Sequence, residues 1–172
     1  MDIAGHLEKA NHFVDAITVL DPAEDYETII WARMHACTQW INGVLHAKDI
    51  TDENWDISHT WYLDRMDDPS RLTSKIDDAL LVALEKITNF ERIRMSHVRG
   101  PCPYGKEILK ESNEAYEHVE KYCKSILGSL DPAVVSQAAK SSDRGTHSLT
   151  PTSINAMEVV FCNTGKPYPS LH

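Results

Sequence analysis

The chain has 172 residues, 42% of them hydrophobic and 25% charged, a composition that fits one soluble globular domain with an appendage. Its formal net charge of −9 excludes bulk electrostatic recruitment of nucleic acid. No apolar run approaches the roughly 20 residues of a membrane span, and the N-terminal MDIAGHLEKANHF lacks a basic region leading into an apolar stretch, so the sequence predicts a cytoplasmic protein with no membrane partner.

A first helix is predicted over 3–19, where Ile3, Leu7, Phe13, Ile17 and Leu20 form a ragged apolar stripe. Asp21-Pro22 breaks it. A second helix is predicted over 23–46. Tyr26, Ile30, Met34, Cys37, Ile41 and Val44 recur at three- and four-residue steps, and Trp31 and Trp40 widen the stripe. Lys48–Asn54 reads as a polar connection and 55–65 as a short helix. Asp67–Ser70 marks a turn or a fresh start.

The third long helix is predicted over 70–98. Its face runs through Ile76, Leu80, Ala83, Leu84, Ile87, Phe90 and Arg94, broadened by Leu81 and Val82, and Gly100-Pro101 ends it. A fourth helix follows over 104–128, with Ile108, Ala115, Val119, Cys123 and Ile126 as its core stripe. Beyond it, 131–140 reads as a short helix, 141–153 as a Ser/Thr-rich loop, and 157–162 (MEVVFC) as a β-like docked tail. The expected fold is all-α: a four-helix up-and-down bundle with an irregular C-terminal tail. Its expected parts are an N-terminal helix (1–22), the bundle (23–128) and a C-terminal extension (129–172).

The four cysteines, Cys37, Cys102, Cys123 and Cys162, have no CxxC spacing and read as independent reduced thiols. Only seven glycines are present, which excludes the phosphate-cradling loops of dinucleotide and P-loop enzymes. Nine histidines raise the question of metal. The Glu-x-x-His pair of ferritin-like bundles and the HExxH motif are both absent. His35, His46, His59, His97 and His118 therefore read as scattered histidines, and no metal ligand or cofactor is assigned. A histidine site assembled across the bundle stays open as a weaker alternative, that of a metal-binding helical bundle enzyme.

The most distinctive stretch is RIRMSHVRGP, 92–101. Between residues 92 and 106 stand Arg92, Arg94, Arg99 and Lys106 with no acid among them. Arginine offers a permanent planar charge suited to phosphate, and His97 can exchange a proton near neutral pH. Such a pair could cleave RNA without a metal. Five residues on an ideal α-helix leave two side chains roughly 140° apart. Arg92 and His97 therefore converge only if the helix loosens before Gly100 or a second protomer completes the site. The plainer reading is a helix C-terminus enriched in cations by its dipole.

Three segments, IIWARMHACTQWI (29–41), DISHTW (56–61) and RIRMSH (92–97), resemble the HEPN domain, a helical module associated with nucleotides and RNA in prokaryotic defence and toxin–antitoxin systems. The likeness covers about residues 23–128, and RIRMSH matches the family's Arg-x4–6-His motif. It implies a homodimer with both motifs facing a shared cleft. It also implies a metal-independent endoribonuclease or RNA-binding toxin component, in which Arg92 stabilises the phosphate and His97 is general acid/base. Arg94, Ser96, Arg99 and Lys106 would support substrate binding. Ile93 stands where many active members carry Asn, which points to the alternative: a noncatalytic module that binds a nucleotide or a protein partner such as an antitoxin.

Overall fold

A computed structural model describes residues 1–60, 63, 74–102 and 105–130, and these are helical with no strand among them. The expected helix at 131–140, the Ser/Thr-rich segment and the β-like run at 157–162 lie outside the described residues, as does Trp61.

Helix α1 spans Ile3–Ile17, and the Asp2 carboxylate caps it by accepting from the Gly5 N–H at 2.8 Å. Its inward face carries His6 and Ala10, both buried, with Ile3, Leu7, Phe13 and Val14 partly buried beside them. Helix α2 spans Tyr26–Ala47. The predicted stripe is buried from Ile30 through Met34, Cys37 and Ile41 to Val44, and Trp40 is buried with it. Trp31 departs from the expectation: it is 41% exposed and lies edge-on to Phe13 at 5.6 Å.

Residues 55–59 do not form the start of the expected short helix. The buried Asn42 side chain explains this. Its Nδ2 donates to the Ile57 carbonyl and its Oδ1 accepts from the Ile57 N–H, both at 2.8 Å. The carbonyl is the group that a helix starting here would pair with the N–H four residues ahead.

Helix α3 spans Asp78–Ile93, shorter than the predicted 70–98. Asp77 sets the start, because its carboxylate accepts from the Leu80 N–H at 2.8 Å and from Lys48 Nζ at 2.7 Å. Leu80, Ala83, Leu84, Ile87, Phe90 and Ile93 are buried, whereas Leu81 and Val82, expected to broaden the stripe, are 48% and 37% exposed. At its end the chain widens into a π turn, Arg94–Val98, closed by the Arg99 N–H donating to the Arg94 carbonyl at 3.0 Å. Gly100 is required there, since a Cβ would lie 2.6 Å from the carbonyl oxygens of both Met95 and Ser96. Helix α4 spans Lys106–Leu127 and buries Ser112, Ala115, Val119, Cys123 and Leu127.

Helix α2 is central. It packs against α1, α3 and α4, and α3 also packs against α4. Gly43 lies where α1 and α4 meet α2: a Cβ there would touch Leu127 of α4 at 3.4 Å and the Cβ of His6 at 3.8 Å. Arg33 ties α2 to α4 through the Leu109 carbonyl, Ser112 Oγ and Asn113 Oδ1. Among the described cysteines, Cys37, Cys102 and Cys123 are free thiols, and burial pushes Cys37 and Cys123 up, as expected for core sulfhydryls. No described helix is long and apolar enough to cross a membrane.

Candidate metal centre

The close approach of α1 to α2 brings His6 against His46, in the last turn of α2. The Asn42 clamp holds the following segment so that Asp56 reaches both rings. His6 Nε2 lies 3.1 Å from Asp56 Oδ1, His46 Nε2 lies 3.0 Å from the same oxygen, and the two Nε2 atoms are 3.2 Å apart. Three ligand-type atoms thus form a near-equilateral triangle. Both rings are buried, and Asp56, with 35% of its side chain exposed, is the solvent-facing member.

The outward ring nitrogens are also held. His6 Nδ1 donates to Gln39 Oε1 at 2.8 Å, and His46 Nδ1 pairs with Thr51 Oγ1 at 2.8 Å. Metal-binding histidines are oriented in this way, by a partner on the nitrogen that does not face the ion. Burial holds the His6 imidazole below its ordinary value, against the pull of Gln39 and Asp56. Burial pushes Asp56 up, but the His6 charge and the His46 hydrogen bond outweigh it and hold the carboxyl below the usual range. A neutral imidazole and an ionised carboxylate are the forms that coordinate a cation. The other Asp56 oxygen lies 3.5 Å from the Met1 amino group.

Sequence reasoning named His46 but missed His6 and Asp56. One signal was available. Gln39, Asn42 and His46 fall at helical spacing on α2, a polar ridge inside an apolar face. All three side chains bond to residues that position the centre.

The arginine-rich end is arranged differently. Arg92 turns toward α4: its Nε and Nη2 donate to Asn89 Oδ1 at 3.0 and 2.7 Å, and Nη2 reaches Glu111 Oε1 at 2.7 Å. Arg94 turns toward α2, where Nη1 lies 3.9 Å from Met34 Sδ. The two arginines therefore reach different helices, Arg92 to α4 and Arg94 to α2. Ser96 and His97 are partly buried in the π turn, and Arg99 and Lys106 are exposed. Lys106 opens α4 and shares a shallow groove with Arg33 and Lys110.

The other histidines have separate settings. His35 sits between Trp31 and Phe13, with ring centroids at 4.2 and 5.3 Å. His59 Nδ1 lies 3.2 Å from Glu91 Oε1. Glu114 and His118 are both exposed on α4. No protein-family model, curated protein or solved structure matches this chain.

Proposed function

We propose that this chain is a metal-binding helical protein that holds one divalent cation between His6, His46 and Asp56. The triangle of ligand atoms 3.0–3.2 Å apart carries the reading. A proton bridges one edge of such a triangle and leaves lone pairs opposed on another, whereas a cation at the centre satisfies all three. Two imidazoles and one carboxylate suit a first-row transition ion. Such an ion supplies Lewis acidity and an activated water. His6 and His46 orient it, and Gln39 and Thr51 keep the rings aimed.

The test is calorimetric titration of the chelator-treated full chain with Zn²⁺, Mn²⁺ and Fe²⁺. About one ion per chain is expected, with affinity at least tenfold weaker in Asp56→Ala. That variant keeps the fold, because Asp56 lies at the surface edge of the centre. Parent protein that takes up no ion, or a variant that binds as tightly, would overturn the proposal.

The π turn favours a second reading, that of a HEPN-like four-helix up-and-down bundle acting on RNA as a homodimer. More residues per turn reduce the angular gap between Arg92 and His97 below its α-helical value. In this reading Arg92 stabilises the phosphate, His97 moves the proton, and Arg94, Ser96, Arg99 and Lys106 assist. Mixed cellular RNA incubated in EDTA should be cut by the parent and spared by His97→Ala. RNA left whole by both proteins would leave the basic end as a binding surface for a nucleotide or an antitoxin-type partner.

A further inference from the structure

We infer that α1 is an acid-released latch: a proton taken up by His35 beneath Phe13 frees α1 from α2 while α2, α3 and α4 stay packed together. The inference stands apart from the metal-binding reading above.

Helix α1 is held on one side only. Among the described residues it packs on α2 and on no other helix, whereas α2, α3 and α4 each pack on the other two. It buries just His6 and Ala10. Its side-chain hydrogen bonds to the rest of the described chain all come from His6, to Gln39, His46 and Asp56. Its other hold is Phe13, which stacks on the His35 ring at 5.3 Å and meets Trp31 edge-on at 5.6 Å. An element with so few buried apolar contacts can open while the rest of the molecule stays folded.

The second hold is built on a titratable ring among positive charges. The charged groups that face His35 are Lys9 of α1, His59 of the segment after α2, and Arg94 where α3 passes into the π turn. None of the three is negative. Glu91, the acid beside His59, lies 3.2 Å from His59 Nδ1 and accepts from the Thr60 N–H at 3.0 Å. A proton on His35 therefore sets positive charge against Lys9 across the α1–α2 contact, with no carboxylate to receive it. Undocking α1 relieves the desolvation of the ring and removes Lys9 from it. The sign follows: burial and these charges hold the docked imidazole at about 4, below its ordinary 6.5, so acid favours the undocked form between those values. Full recovery of 6.5 on release would make opening about twentyfold more frequent at pH 5 than at pH 7. Arg94 and His59 stay behind when α1 leaves, so about tenfold is expected. Release also withdraws His6 from His46 and Asp56, so that cluster exists only while α1 is docked.

Hydrogen exchange read by mass spectrometry tests this on the full chain at pH 7 and pH 5, with rates corrected for intrinsic chemistry. EDTA is present throughout, so the outcome does not depend on whether the chain binds metal. At pH 5 the amides of Ile3–Ile17 should exchange at least tenfold faster than those of Lys106–Leu127, a comparison that needs no variant. His35→Phe keeps a ring under Phe13, and it should remove about a factor of ten from the rise that α1 shows between the two pH values. Equal protection of α1 and α4 at pH 5 would mean that α1 opens only with the whole molecule. A rise that persists unchanged in His35→Phe would mean that another group triggers it. Either result overturns the inference.

Discussion

Trp40→Ala is expected to remove roughly 3–5 kcal/mol of stability, a large fraction of the roughly 5–15 kcal/mol that holds a typical domain folded. Trp40 is 1% exposed and sits in the middle of α2, where it faces α4. Its ring centroid lies 5.6 Å from that of Tyr116, and Lys124 Nζ approaches its face at 5.7 Å. Truncation therefore opens a cavity between the central helix and α4, and also deletes an aromatic pair and a cation–π contact. Trp31→Ala is the control. It removes the same side chain from the same helix at a half-exposed position and should cost about 1 kcal/mol. Urea unfolding followed by circular dichroism measures both. A Trp40→Ala midpoint as close to the parent's as that of Trp31→Ala would mean that the packing described for α2 on α4 is wrong.

Acid is the second strong perturbation, and His35 is its main sensor. Burial, reinforced by the charges of Arg94, His59 and Lys9, lowers its imidazole from 6.5 to about 4. Above pH 6.5 the ring is neutral in both the folded and unfolded chain, and stability is unaffected. As pH falls through 6.5 the unfolded chain takes up a proton that the folded chain refuses until about 4. Stability therefore drops across that window, by on the order of 3 kcal/mol. His6, also lowered by burial, adds a slope of the same sign. His35→Phe keeps an aromatic ring between Trp31 and Phe13 and should flatten the pH dependence between 6.5 and 4. Unfolding free energies collected at half-unit steps would show this. A variant with the parent's slope would refute the assignment.

Much of the helical content was legible because periodicity reports burial directly. Helices α2 and α4 begin and end within three residues of their predicted limits, since both carry long apolar stripes. The errors have local physical causes. The predicted helix at 70–98 ignored Asp77, a capping residue in mid-pattern, and a glycine-limited π turn that no apolar pattern encodes. Residues 55–59 do not begin the helix predicted over 55–65, because Asn42, thirteen residues upstream of Trp55, occupies the backbone of Ile57. Leu81, Val82 and Trp31 were assigned to buried faces on hydrophobicity alone, although hydrophobic residues are common on protein surfaces.

The candidate centre was harder to read because its three ligands lie on three separate segments. His6 interrupts an apolar stripe, and Asp56 sits in a stretch that appeared to be an ordinary helix start. Only the Gln39–Asn42–His46 ridge advertised that α2 had a polar duty on its buried side. The arginine cluster, by contrast, was conspicuous in the sequence, and the structure directs Arg92 and Arg94 to different neighbours.

The paired Asn42–Ile57 hydrogen bonds have a dynamic consequence. Breaking them exposes two backbone groups and one buried amide together, which raises the cost of opening the loop that carries Asp56 apart from α2. Asp56 is thereby held beside His6 and His46 by the fold itself, so a cation bound there as proposed would meet a carboxylate already ordered.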